Sequence, residues 1–237
     1  MPENSGQSFG GAAAGAAPGK TAARARWVSA VELLLGALVV IGHNVYHVVP
    51  NEVFILFVAA LVSARLRDGG WSVLGFRRPG SWGRIVGIAA AAAALRIALG
   101  DLVIDPLTSR FWPPAVSPEG TEAITGNLGM ALGALALVWT FAAFGEEVSY
   151  RGYLMLRAAD LGNRSTAAWL AGLVISSILF GYGHYYKGPA GILDSGCAGL
   201  ILGVAFLAAG RNLWASILAH GFIDTVGVVL VYLGWDS

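Results

Sequence analysis

The chain has 237 residues, 56% of them hydrophobic and only 12% charged, with a formal net charge of +1. That balance excludes a water-soluble globular domain and offers no basic surface for nucleic acid. A single cysteine, Cys197, excludes an intrachain disulfide and a cysteine-built zinc cluster, and its place in an apolar run marks it as a packing residue.

Several apolar runs reach the roughly 18–20 residues that a helix needs to cross a bilayer. The expected fold is therefore all-α: a polytopic transmembrane helix bundle of about seven spans, within a range of six to eight. Residues 1–26 are rich in Gly, Ala and Ser and read as a disordered tail. Lys20, Arg24 and Arg26 then lead into the first apolar run, 27–41, which reads as a retained signal-anchor helix. His43 and His47 close that helix at i,i+4 spacing. Such a pair can bind a metal, but before Pro50 it fits better in the headgroup region. Glu32 lies inside the run and must face the bundle or water.

The second helix, 52–65, is short for a span. After it, Arg65, Arg67, Arg77, Arg78 and Arg84 alternate with Trp71, Phe76 and Trp82, the composition of a segment lying at the lipid interface. A third helix, 85–104, carries Arg96, expected to snorkel or to pair with Glu32 or Asp101. Residues 106–126 read as a loop, which closes an N-terminal unit of transmembrane helices and interfacial connector over 27–126. The second unit, 127–234, holds four more helices, at about 127–160, 166–186, 190–209 and 213–234. Ser165 or Thr166 is placed to cap the helix from 166. Gly196, Gly199 and Gly203 give the helix after it a small-residue face for close packing. Lys and Arg gather in the tail, in 65–84, in 157–164 and at Arg211, so the positive-inside rule puts the N-terminus in the cytoplasm of a multi-pass cell-membrane protein.

The stretch that draws attention is Gly145-Glu146-Glu147-Val148-Ser149-Tyr150-Arg151, at the end of the apolar run 128–144. Ionised groups inside a membrane are costly and mark functional sites by default. Glu147 and Arg151 are i,i+4 neighbours in the favourable order, whereas Glu146 points about 100° away with no partner at helical spacing. His220 and Asp224 are also i,i+4, so the carboxylate can fix the ring's tautomer. Glu146 with His184 supplies a base and a polarising partner, and His220 with Asp224 a second polar site. Together they can activate water and stabilise an oxyanion, as amide hydrolysis requires. The blander alternative is a set of interhelical hydrogen bonds holding a bundle together.

In order along the chain, Glu146-Glu147-x-x-x-Arg151, Phe180-x-x-x-His184 and His220-x-x-x-Asp224 resemble the three motifs of the CPBP intramembrane proteases. That family includes the type II CAAX prenyl endopeptidase and bacterial members linked to bacteriocin self-immunity. The resemblance covers about 127–233. It implies an intramembrane endopeptidase that cuts a membrane-associated peptide or protein near the membrane face, with the lipid bilayer as its medium and no nucleic acid involved. By it, the catalytic residues are Glu146, His184, His220 and Asp224, and Glu147, Arg151 and Phe180 support them. The prenyl-endopeptidase type has Asn at the last motif position, where this chain has Asp224; an ionised Asp cannot donate to an oxyanion, which would leave His220 as the donor.

Two variants of the chemistry are open: water activated by Glu146 with no cofactor, or a divalent metal such as zinc held by Glu146, His184 and His220. The His₂Glu set suits zinc, though the HExxH signature is missing. Two other functions compete. One is a non-enzymatic bacteriocin-immunity membrane protein, which would keep its protective effect in Glu146→Ala. The other is a proton-coupled transporter, disfavoured because paired broken helices are missing. Depth sets a geometric demand. Glu146 lies 17 residues before Asn163, and His184 lies 21 after it, but His220 is only 9 past Arg211. Straight helices would leave roughly 12–18 Å of mismatch at 1.5 Å per residue, to be closed by bends at Gly145, Gly152, Gly181 or Gly183, or by a turn sunk below the surface.

Overall fold

The computed structural model describes residues 20–114 and 121–235. Seven long helices form the bundle: α1 (Lys20–Asn44), α2 (Glu52–Arg67), α3 (Trp82–Thr108), α4 (Leu128–Leu161), α5 (Thr166–Tyr182), α6 (Gly188–Ala208) and α7 (Leu213–Leu233). Five of them, α1, α3, α4, α6 and α7, hold stretches long and apolar enough to cross a membrane, the first being Ala25–Asn44; α5 is apolar but shorter. Glu52–Arg67, the weak span in the sequence, stays at 16 residues. The first helix begins at Lys20, so residues 20–26 are helical rather than part of a disordered tail; the rest of that expected tail lies outside the described residues.

Five helix starts share one local cause. The side chains of Asn51, Ser81, Asn127, Ser165 and Asn212 accept hydrogen bonds from backbone N–H groups of Phe54, Arg84, Met130, Ala168 and Trp214, satisfying donors that have no partner in the first turn. Ser165, not Thr166, is the cap before α5. At the other end of α7, Gly234 adopts the left-handed conformation, φ 70°, that commonly terminates a helix.

Ion pairs join the helices where the hydrophobic effect cannot. The guanidinium of Arg157, fully buried, lies 2.7–3.0 Å from carboxylate oxygens of Glu32, Asp68 and Asp160, tying α1, α2 and α4 together at one end. Arg67 also reaches Glu32. The partner of Arg96 is therefore neither Glu32 nor Asp101. It is Asp194 on α6, at 2.5 Å, a pairing across 98 residues that no local spacing reveals. His43 is likewise committed to structure: its Nδ1–H donates to the Val49 carbonyl at 2.9 Å, and its Nε2 lies 3.1 Å from Glu52.

Close packing of α5 on α6 uses the small face expected on α6. A Cβ at Gly199 would sit 3.0 Å from the Ser177 backbone, and one at Gly203 would sit 2.3 Å from Leu173, so larger residues would push the helices apart. Leu34, Leu38, Leu132, Leu137, Ile178 and Val204 remain exposed on the outside of the bundle, as lipid-facing side chains do.

Two devices bring the motif residues level. First, α4 is not a uniform α-helix: its central stretches Val138–Glu146 and Val148–Leu154 are π-helical, a wide winding common at functional sites. Second, the turn between α6 and α7 is tied to the connector that follows α2. Leu213 N–H donates to the Gly75 carbonyl at 3.1 Å, and the buried Asn212 amide donates to the Arg77 carbonyl at 3.0 Å. Gly75 is required there. Its φ is 103°, and a Cβ would meet Phe206, the Arg211 carbonyl and the Leu213 amide at 2.9–3.1 Å. With α7 held there, His220, early in that helix, meets Glu147 in the middle of α4.

Candidate active site

Three helices supply the site. From α4 come Glu146, Glu147 and Arg151; from α5 and the turn after it come Phe180 and His184; from α7 come His220 and Asp224. Glu147 is fully buried, and its Oε1 accepts from Arg151 Nη1 at 2.8 Å, as the i,i+4 spacing predicts. The same oxygen lies 2.8 Å from His220 Nδ1. Arg151 also donates to the Gly199 carbonyl at 3.1 Å, which anchors the cluster to α6.

His220 is thus held between two carboxylates. Its Nδ1 faces Glu147 at 2.8 Å and its Nε2 faces Asp224 at 3.5 Å. The intrahelical Asp224 was expected to be the ring's orienting partner, but Glu147, from another helix, makes the shorter contact. Sequence reasoning missed this bridge. The available signal was that a carboxylate accepts several hydrogen bonds, so pairing with Arg151 left Glu147 room for a second donor.

Phe180 explains why the second motif begins with an aromatic residue. Its ring packs edge-on against Tyr150 at 5.1 Å, lies 4.8 Å from the His184 ring and 5.9 Å from the His220 ring, and carries the Arg151 guanidinium 4.3 Å above its face. It is the spacer that sets both histidines and the arginine around one apolar centre, and the cation over its face is favourable. His184 Nδ1 donates to the Phe180 carbonyl at 2.9 Å. Because a carbonyl only accepts, this bond fixes the proton on Nδ1 and leaves the Nε2 lone pair for another group.

Glu146 is the carboxylate set apart. Its Oε2 is buried, with no hydrogen-bond partner among the described residues, and the charged groups around it are His220, Asp224, Glu147 and Arg151. No hydrogen bond joins it to His184 among those residues. Glu147 Oε2 is likewise buried without a partner, but Glu147 Oε1 holds Arg151 and His220 whereas Glu146 has no ion pair among the described residues, the contrast that helical spacing predicts.

The possible metal set Glu146, His184 and His220 does not fit this arrangement. Among the described residues no three His, Cys, Asp or Glu side chains are gathered to hold a metal ion. His220 Nδ1 is taken by Glu147, and its Nε2 lies 3.5 Å from Asp224.

On α7, a Cβ at Gly221 would lie 2.4 Å from the Trp139 ring. Only a glycine beside His220 lets α7 approach the π-helical part of α4 so closely.

Residues 128–226 match the family model described as type II CAAX prenyl endopeptidase Rce1-like. The matched segment contains every motif residue above, in agreement with the resemblance to the CPBP proteases. No curated protein and no solved structure matches the chain.

Proposed function

We propose that the protein is an intramembrane endopeptidase of the CAAX-protease type, acting on a membrane-associated peptide or protein. The observation that carries this reading is the unpartnered, buried carboxylate oxygen of Glu146 beside a histidine whose ring is held by two other carboxylates. In water such an arrangement would have little value. Inside a bundle, preorganised charges act in low dielectric and need no reorganisation during the reaction.

Glu146 takes a proton from a water molecule as its oxygen attacks the scissile carbonyl carbon. His184 accepts the water's other hydrogen at Nε2 and so orients it. His220 donates from Nε2–H to the oxygen that becomes negative, with Glu147 holding the ring at Nδ1. When the tetrahedral intermediate collapses, the C–N bond breaks and Glu146 returns its proton to the leaving amine. Arg151 keeps Glu147 ionised and in place, and Asp224 stabilises positive charge on His220.

Glu146→Gln tests the reading. It keeps the shape and removes the base, so cleavage should fall by about 10²–10⁴-fold while abundance and melting stay near wild type. New peptide termini in the membrane proteome of cells with wild-type protein, missing from cells with Glu146→Gln, are the expected result. The same termini in both would overturn the assignment of the base.

A further inference from the structure

The basic end of the bundle contains a second feature that the proposed hydrolysis does not use. Three separate segments converge there: the connector after α2, the turn between α4 and α5, and the turn between α6 and α7. They enclose a pocket of about 370 Å³ whose wall includes Ser72, Arg77, Leu156, Arg164, Trp169 and Arg211. Each segment contributes one arginine. Like charges brought together by separate parts of a fold repel unless something compensates them.

Arg164 is compensated, by Asp160 at 2.5 Å and Asp68 at 3.1 Å. The other two are not. Among the described residues no carboxylate lies within ion-pair distance of Arg77 or Arg211. Arg77 donates only to the Arg211 carbonyl, at 3.3 Å, and Arg211 lies 5.3 Å over the face of Trp169. Both guanidinium groups retain donors for a ligand. Trp169 is itself buried, only 8% exposed, and its indole N–H has no acceptor among the described residues. The pocket therefore combines two uncompensated cations, an indole face and a serine hydroxyl.

We propose that this pocket binds a phosphate group, and that the headgroup of an anionic phospholipid supplies it. Arginine forks match phosphate oxygens in geometry as well as charge. The surroundings favour a lipid source. Trp71 and Trp82, at the two ends of the connector, are 54% and 51% exposed, as interfacial aromatic anchors are. The exposed Leu66, Leu161 and Leu170 lie along the same end. A membrane surface rich in anionic lipid concentrates around such a basic rim.

The test uses full-length protein purified in neutral detergent, with lipid binding followed by native mass spectrometry and by melting temperature. Phosphatidylglycerol should bind at least about tenfold more tightly than phosphatidylcholine, with a preference that fades as salt rises. Replacing Arg77 and Arg211 together by Gln should abolish the preference, whereas Arg65→Gln, on the exposed side of α2, should leave it intact. If the double variant does not accumulate, Arg77→Gln alone carries the test, because that side chain sits on the exposed connector. Stabilisation by inorganic phosphate with the same arginine dependence would uphold the phosphate site and move its source to the aqueous phase. Equal binding of the two lipids without a phosphate effect, or a phosphatidylglycerol preference that survives loss of the arginines, would overturn the proposal.

Discussion

Replacing Glu147 with Ala removes a carboxylate that holds two donors from two helices. Arg151 would keep only the Gly199 carbonyl, and His220 Nδ1 would lose its 2.8 Å acceptor. The Glu147 and Arg151 side chains are 0% and 1% exposed, so water cannot reach the stranded guanidinium. Breaking a buried pair in this way costs about 3–5 kcal/mol. For a chain of this size each kcal/mol lowers the melting temperature by about 2–4 °C, which gives a fall of about 6–20 °C. The assay is tryptophan fluorescence of detergent-purified protein during heating. Glu147→Leu combined with Arg151→Met removes both charges and should recover most of the loss. It should remain inactive, because His220 is still unheld. A Glu147→Ala protein melting within about 2 °C of wild type would refute the buried-pair argument, as would a double variant less stable than the single.

The unequal contacts of His220 rank its two acid partners: Asp224→Asn should keep turnover within roughly tenfold of wild type, while Glu147→Gln should lose about a hundredfold or more. The reverse order would make Asp224 the orienting group. Gly75→Ala should lower stability by about 1–3 kcal/mol, through a left-handed backbone and contacts with the α6–α7 turn, and should reduce activity by lifting α7. Unchanged melting would show that the turn tolerates displacement. Chelator treatment of purified protein should leave cleavage intact, since no three candidate ligand side chains are gathered among the described residues; activity lost to chelator and restored by zinc would contradict the Glu146-water route.

What the sequence determined by itself is what depends on neighbours along one helix. Apolar run lengths set the helical bundle, Ser and Asn before those runs set five of its starts, and i,i+4 spacing paired Glu147 with Arg151 and brought Asp224 near His220. The same spacing argument left Glu146 unpartnered, as it is. Contacts between helices were beyond it, because periodicity says which face a residue occupies and nothing about which helix lies opposite. Only the tertiary structure gave Arg96 to Asp194, gathered Glu32, Asp68 and Asp160 around Arg157, and set Phe180 between the two histidines. It also brought His220 to Glu147 by a route that residue counting cannot fix, with α4 wound as a π-helix and the α6–α7 turn tied to the carbonyls of Gly75 and Arg77. Those bonds join residues far apart along the chain, 135 positions in the case of Arg77 and Asn212, which no local spacing reveals.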